Sequence, residues 1–585
     1  MKINYNLWQF LNKRRKIQFL LLVILMLVGS LAEIISIGLT LPFLASISSP
    51  DLILEYDFIK YLRIFIDIDS IENIILLFTA LFIGAAVLSG AIRFFLNFSL
   101  IRFSFGIGAD FNKRLYLNTL FIPYEEFKMQ NSSEYASSIL KKSENTVTGV
   151  LLPILYLINS ALVISSVVIL LIKVDPMIAF SIFASFGLLY LIITLYFQRR
   201  LKANGAIISK CSSDVIKNIQ EGYGNIRNVI LDQKHKYYLN IFHRNDIQLR
   251  RAYAESEFIS SNPKFILESL GMIIIAILAY DISINSSNSA SISIPLIGTF
   301  AIAAQRVLPL VQQAYNAFSR IRSSQASHND VVNLLRIKVP SEEFLGSSLK
   351  FKERLLLKEV SFGYKKSNSI LNKVSLEVFK GETVGLIGKT GTGKSTLLDI
   401  MLGLIFPSSG EVYIDDSILD DSNIFGWYKN VAQIPQRIYL ADETILKNIA
   451  LGEDEREINI EKVKRAAKIA EIHEEIMNFS KGYSSITGEN GSRLSGGQIQ
   501  RIGIARAIYS NKKFLVLDEA TSALDFETEK RIMANIKNLK NVTTIMVAHR
   551  LSSLKECDRI FKIDSGKLSN VSDKEYKRLL ELTQR

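Results

Sequence analysis

Six runs of apolar residues, each long enough to cross a lipid bilayer, dictate most of what this chain can become. They cover approximately Ile17–Leu44, Ile74–Leu100, Val147–Val174, Met177–Phe197, Phe265–Ile282 and Ile292–Ala314. The hydrocarbon core takes about 20 apolar residues as helix. Inside it every backbone N–H and C=O must be satisfied within the segment, so each run is predicted to be helical. Six such runs without polar relief are too many for a soluble core. The first follows the basic flank Lys13-Arg14-Arg15-Lys16, as the apolar part of a signal peptide would. It is too long for that role and lacks a small-residue cleavage site, which makes it a retained helix.

The formal charge of +13 is compatible with nucleic-acid binding, but its distribution points elsewhere. Basic residues crowd the segment before the first run and the connections between runs two and three and between runs four and five. The second of these carries Arg199, Arg200, Lys202, Arg227, Lys236, Arg250 and Arg251 among others. The "KVDP" turn and the Ser/Asn-rich loop of residues 284–291 are nearly free of positive charge. Lys and Arg concentrate on the cytoplasmic side, so the N-terminus, both long loops and everything after the sixth run are expected there, in a bacterial cytoplasmic membrane. Nucleic acid is not needed to explain the charge. Cys211 and Cys557 are the only cysteines, and the five histidines are scattered. Neither a disulfide framework nor a Cys/His metal cluster is indicated. The external stretch of residues 51–73, "DLILEYDFIKYLRIFIDIDSIEN", mixes large apolar residues with isolated charges. It suits either a helix packed on the membrane domain or one lying in the outer interface.

Near residue 340 the texture changes to shorter runs punctuated by Gly, Asp and Ser. "GKTGTGKS" fits G-x-x-x-x-G-K-[ST], follows the apolar "ETVGLI" and leads into "TLLDIMLGL". A strand, a glycine-rich turn and a helix in that order make a P-loop. Its members are Gly388, Lys389, Thr390, Gly391, Thr392, Gly393, Lys394 and Ser395, with Thr396 opening the helix. Glycines there let backbone N–H groups approach phosphate oxygens, and the helix N-terminus adds positive potential. Lys394 is expected to reach the β- and γ-phosphates and Ser395 to ligate Mg²⁺. "FLVLDE" is an apolar strand ending in Asp518 and Glu519. The first suits Mg²⁺ and the second suits the attacking water, as orienting group or base. "IMVAH" is another strand with a polar tip, His549.

The order of P-loop, Gln436 in "IPQ", "LSGGQ", "LVLDEATSALD" and His549 resembles the nucleotide-binding domain of ABC transporters. The resemblance implies that Tyr364 in "FGY" stacks on adenine. It also implies that Gln436 links the γ-phosphate and Mg²⁺ to the membrane domain, and that His549 contacts the γ-phosphate. Ser495, Gly496, Gly497 and Gln498 of the signature would close over ATP held by a second chain, which Asp525 would touch. With every motif residue intact, a homodimer with two competent ATP sites is the economical expectation. Six runs ahead of one such domain resemble an exporter half-transporter, as does "ITGENGSRLSGGQ" before the signature. The expected architecture is thus a polytopic α-helical membrane domain of six spans (1–335) fused to an α/β P-loop nucleotide-binding domain (336–585). The turns "PYEEFKMQNSSEY" and "GYGNIRNVILD" are expected to transmit ATP-driven closure to the spans.

"AEIISIGLTLPF" in the first run and "QRVLP" in the sixth are similar to the bacterial lipid-linked oligosaccharide flippases (PglK-like), which move polyprenyl-pyrophosphate glycans. The resemblance also extends to the external segment and makes a lipid-linked glycan the expected substrate. Arg93, Lys264 and Arg306 lie within or beside runs. An arginine at a span centre costs roughly 2.5–3.5 kcal/mol on the mildest scale. Facing a hydrated cavity, these cations suit a pyrophosphate or another anionic head group. Alternatives are snorkelling, for Lys264 above all, or an ion pair with Glu33 or Glu268. An exporter of drugs, lipids or peptides, with a more apolar cavity, is the competing function.

Overall fold

The computed structural model describes residues 7–48, 71–174, 176–285, 290–340, 349–364, 369–539, 541–548, 551–572 and 574–578. The chain divides into two compact units. One comprises Met1–Ile122 and Phe127–Val339, the other Pro340–Arg585 with Pro123–Glu126. The stretch of residues 51–70 in the external segment lies outside the described residues, as does His549.

The first unit is helical. Its long helices are α1 (Lys13–Gly38), α2 (Thr40–Ser48), α3 (Ile71–Leu120), α4 (Leu152–Val174), α5 (Pro176–Gly224), α6 (His235–Ser261), α7 (Pro263–Asn285) and α8 (Ala290–Leu335). Among the described residues, three helical stretches are long and apolar enough to cross a membrane: Lys13–Ser48, Ile71–Leu120 and Ser132–Lys173. Helices α5, α7 and α8 cover the other three runs, where many side chains lie outside the described set. Large apolar side chains face outward along α3, with Leu76 70% and Phe94 78% exposed. That is the inverse of a soluble surface and what a lipid-facing one requires.

The first run is not one helix. It breaks at Leu39, three residues before Pro42, whose ring nitrogen has no proton to donate back to Gly38. Between Ser132 and α4 the helix passes through two π-turns, Ser138–Lys142 and Val147–Leu151. Beside them α8 packs without space to spare. A Cβ on Gly149 would lie 1.9 Å from Ser324 Oγ, and one on Gly205 of α5 would lie 2.2 Å from the Ser323 carbonyl oxygen. Small residues are what allow helix backbones to approach that closely. The buried Lys142 amine and the Ser209 hydroxyl both donate to Asp330, each at 2.7 Å. This fastens three helices through one carboxylate.

The second unit holds two sheets. The four-stranded antiparallel sheet has the order β2-β1-β4-β5, from β1 (Arg354–Phe362), β2 (Leu371–Phe379), β4 (Ser409–Ile414) and β5 (Ser417–Ile418). The six-stranded sheet runs β10-β9-β3-β8-β7-β6, from β3 (Thr383–Ile387), β6 (Val431–Ile434), β7 (Phe514–Asp518), β8 (Thr543–Val547), β9 (Arg559–Asp564) and β10 (Lys567–Asn570). Only the β9–β10 pair is antiparallel. Strands β3 and β8 are buried at every position, as a parallel sheet covered on both faces demands. Alternation then sends successive side chains to opposite sides. Phe514 and Val516 join the core containing Leu397, Leu398 and Met401 of helix α9 (Lys394–Met401). Leu515 and Leu517 join the core containing Ile502 and Ile504 of helix α10 (Gly496–Tyr509). One strand thereby anchors both the P-loop helix and the signature helix.

Candidate ATP site and membrane charge cluster

In open parallel sheets, ligands bind beyond the carboxyl ends of the strands where the strand order reverses. Here β3, β8, β7 and β6 are parallel neighbours. Their carboxyl ends lead to the P-loop, to Val547-Ala548, to Asp518-Glu519 and to Gln436 in turn. Three motifs far apart in sequence, the P-loop, Gln436 and Asp518-Glu519, therefore share one end of one sheet.

The P-loop has the backbone its glycines permit. Gly391 and Gly393 have φ of +84° and +102°, conformations that cost a residue with a Cβ of order 1 kcal/mol or more. A Cβ on Gly393 would also sit 3.0 Å from Ile370 and Leu371. That places the loop against the start of β2. Ile370 in turn donates its N–H to Phe362, which packs edge-on against Tyr364 at 5.1 Å. The predicted adenine-stacking residue thus belongs to the hairpin beside the P-loop. Lys394 donates to the carbonyl oxygens of Gly388 and Lys389 at 2.5 and 3.1 Å, so its ammonium lies over the loop. Lys389, Thr390 and Ser395 are exposed, and Thr396 is buried behind them.

Glu519 follows β7 with φ of +52°, a strained geometry for a non-glycine residue. Its N–H donates to the Val547 carbonyl at 3.0 Å, which ties the turn to β8. Gln436 Nε2 donates to Glu519 Oε2 at 2.5 Å. Two predicted catalytic residues 83 positions apart are therefore in direct contact. Asp518, Ser395 and Gln436 offer hard oxygen donors, few in number. That donor set fits Mg²⁺, which binds through one or two protein groups plus phosphates and water.

The signature is built as a helix start. Ser495 accepts the Gln498 N–H at 3.3 Å, and the Gln498 side chain accepts the Ser495 N–H at 2.9 Å, a reciprocal cap worth about 1 kcal/mol. Ser495 and Gly496 are exposed. Among the described residues no hydrogen bond joins the signature to the P-loop of the same chain. Asp525 caps helix α11 (Phe526–Lys537) by accepting the Thr528 N–H at 2.9 Å. That bond holds its carboxyl below the usual carboxylate range. The buried Gln500 accepts the Ala523 N–H and donates to Ser522, locking the signature helix to the loop carrying Asp525. Sequence motifs did not single out Gln500. Its position two residues past "LSGGQ", among the apolar Ile499, Ile502 and Ile504, was the available signal.

In the helical unit, Arg93 of α3 and Arg306 of α8 converge on one carboxylate. Glu33 of α1, 2% exposed, lies 3.6 Å from the Arg93 guanidinium and 3.9 Å from that of Arg306, and accepts the Ser89 hydroxyl. Of the two partners weighed for Arg306, the structure selects Glu33. Lys264 pairs instead with Glu268, one turn along α7, at 3.8 Å. Two guanidiniums around one carboxylate leave the cluster one charge positive, and both ion pairs are longer than a tight hydrogen bond.

Arg306 also begins a stripe. Positions 306, 309, 313, 316 and 320 of α8 follow the 3–4 spacing of a single helix face. Pro309, Gln312, Gln313, Asn316 and Arg320 line a cavity of about 500 Å³ with Asn97 of α3 and Tyr156 of α4. Tyr156 donates to Asn97, Ser160 to Gln313 and Arg320 to Asn316, at 2.9, 3.0 and 3.1 Å. None of these amides was singled out from sequence. Their period along the helix was the missed signal.

The ABC transporter family matches residues 371–522. The chain carries an ABC transporter domain. An ATP-dependent lipid A-core flippase of Saccharophagus degradans is 28% identical over 493 residues, 83% of this chain and 81% of that protein. The leukotoxin translocation ATP-binding protein LktB of a Pasteurella haemolytica-like species is 38% identical over 282 residues, 47% of this chain and 38% of that protein. A solved bacterial Atm1-family ABC exporter with ATP bound superposes with a TM-score of 0.79 at 20% identity, covering 98% of this chain and 96% of that one. The fold is therefore that of an ABC exporter along nearly its whole length, a helical membrane domain with an ABC ATPase domain. An ABC domain on an exporter fold is consistent with ATP hydrolysis coupled to transport.

Proposed function

We propose that this exporter flips a lipid-linked oligosaccharide, or a related polyprenyl-pyrophosphate glycan, across the bacterial cytoplasmic membrane. The polar stripe on α8 carries the reading. Its amides, with the Tyr156 hydroxyl of α4, suit sugar hydroxyls, and the net positive cluster one turn away suits a diphosphate. A cavity for apolar drugs would be lined mainly by apolar groups with few polar ones. The lipid A-core flippases among the relatives favour a second reading, in which lipid A-core is the lipid that is flipped. Reconstituted protein offered each lipid in turn separates the two. Faster translocation of the lipid A type would overturn the polyprenyl assignment.

In the ATP site, Lys394 and the P-loop amides bind the phosphates, Tyr364 stacks on the base, and Glu519 orients the attacking water. Ser395, Asp518 and Gln436 would hold Mg²⁺, which when bound would neutralise phosphate charge. His549 contacts the γ-phosphate. The exposed signature of one chain closes over the nucleotide of a second copy. Mixing Lys394→Ala chains with Ser495→Arg chains then rebuilds one good site per mixed dimer. Verified mixed dimers should recover a substantial fraction of wild-type ATPase, and their inactivity would rule out a site shared between chains.

The N-terminus and the ABC domain lie in the cytoplasm in this proposal. The native cysteines provide a quiet background for testing it. Burial pushes the Cys211 thiol up and the Cys557 thiol up to about 12, so neither is a reactive thiolate. Cys211 alone is thus a poor reporter of sidedness. A cysteine at the exposed Lys236 should escape a membrane-impermeant maleimide in intact cells, whereas one at Ser287, outside the described residues, should label. The reverse pattern inverts the topology.

A further inference from the structure

Where α1 meets α3, at the level where both helices pass from basic to apolar sequence, a groove of about 940 Å³ opens on their surface. Its basic end holds Arg14 and Arg102; its walls below are Leu21, Leu25, Phe95 and Phe98. A third arginine is committed elsewhere. Arg15 donates to Asp110 at 2.8 Å and to the Gly106 carbonyl at 2.8 Å. It fits because Gly106 has no side chain: a Cβ there would lie 2.7 Å from the Arg15 guanidinium. Arg14 and Arg102 form no ion pair with a described carboxylate. The Arg102 guanidinium lies over the Phe98 ring, at 5.8 Å.

We infer that this groove is a binding site for an anionic phospholipid of the leaflet on the basic side of the membrane, with the phosphate between Arg14 and Arg102 and an acyl chain along the apolar walls. Three features point to a lipid. The volume lies in the range of small-molecule sites. The charge is at one end and the apolar surface at the other, in the order a phospholipid presents them. Both uncommitted cations sit at the boundary where arginines meet head groups. The inference is independent of the transported substrate, since neither arginine belongs to the Glu33 cluster.

The test uses the full-length chain in phosphatidylcholine nanodiscs with phosphatidylglycerol titrated in, and bound lipid counted by native mass spectrometry. Wild type is expected to retain phosphatidylglycerol in preference to phosphatidylcholine. Arg14→Gln with Arg102→Gln should weaken retention on the order of thirtyfold, since each surface cation contributes about fivefold. Arg14→Lys with Arg102→Lys should restore most of it, and Leu25→Trp, which fills the trough, should reduce it without a change of charge. Lys13→Gln with Lys113→Gln removes the same net charge outside the groove and should change retention less than about threefold. Equal losses in the groove and control pairs would show general surface electrostatics and overturn the site. So would displacement of the lipid by soluble glycerophosphate, which would reveal a plain anion site. A Ser99→Cys chain that crosslinks to a second copy in high yield, with no lipid retained, would show that protein covers the groove.

Discussion

Replacing Glu519 by glutamine is expected to lower ATP turnover roughly a hundredfold to a thousandfold, about 3–4 kcal/mol of transition-state stabilisation, with ATP affinity little changed. Glutamine keeps the length of the side chain and can still meet Gln436, so the turn after β7 need not move. What it loses is the negative charge that orients or deprotonates the water. The P-loop amides and Lys394, proposed to hold the phosphates, belong to a different strand end. Steady-state phosphate release and nucleotide binding on the same preparation separate the two effects. Near-normal turnover would remove Glu519 from the reaction, and lost ATP binding would mean that its strained backbone is what the site requires.

The second large effect is expected at Arg306, and the structure sharpens it. Arg306→Ala should abolish translocation of a pyrophosphate-linked glycan while basal ATPase persists, and Arg306→Lys should keep part of the transport through charge alone. Because Arg93 also faces Glu33, removing Arg306 leaves the buried carboxylate with one cationic partner. The folded protein should survive. Glu33→Gln behaves differently. It strands two guanidiniums, and breaking a buried pair costs about 3–5 kcal/mol, reduced here because the arginines are partly exposed. The melting temperature should therefore fall most for Glu33→Gln and transport most for Arg306→Ala. Stable Arg306→Ala protein that flips the glycan at the normal rate would falsify the substrate role and leave Arg306 as a partner of Glu33.

Much of the molecule is written locally. Whether a segment is long and apolar enough for lipid depends only on its own residues, so each run became helix. Motif chemistry is equally local where the motif is contiguous. The left-handed glycines of the P-loop, the Ser495–Gln498 cap and the Asp525 cap all close within a few positions. Pro42 shows the limit of reading runs by hydropathy alone, since one missing N–H divided the first run at Leu39.

Other features required the chain to come together. Nothing in the spacing of Glu33, Arg93 and Arg306 announces that they meet, because three different helices bring them there. The contact of Gln436 with Glu519 depends on β6 and β7 being neighbours, an order set by crossovers rather than by proximity in sequence. The sequence by itself determined which segments are helices, which loop cradles phosphate and which residue types are available for chemistry. Only the tertiary structure decided that Arg306 shares a buried carboxylate with Arg93 and heads a polar stripe. The reason is physical: backbone hydrogen bonds and capping act over three or four residues, whereas burying a charge is affordable only against a partner that folding delivers from far along the chain.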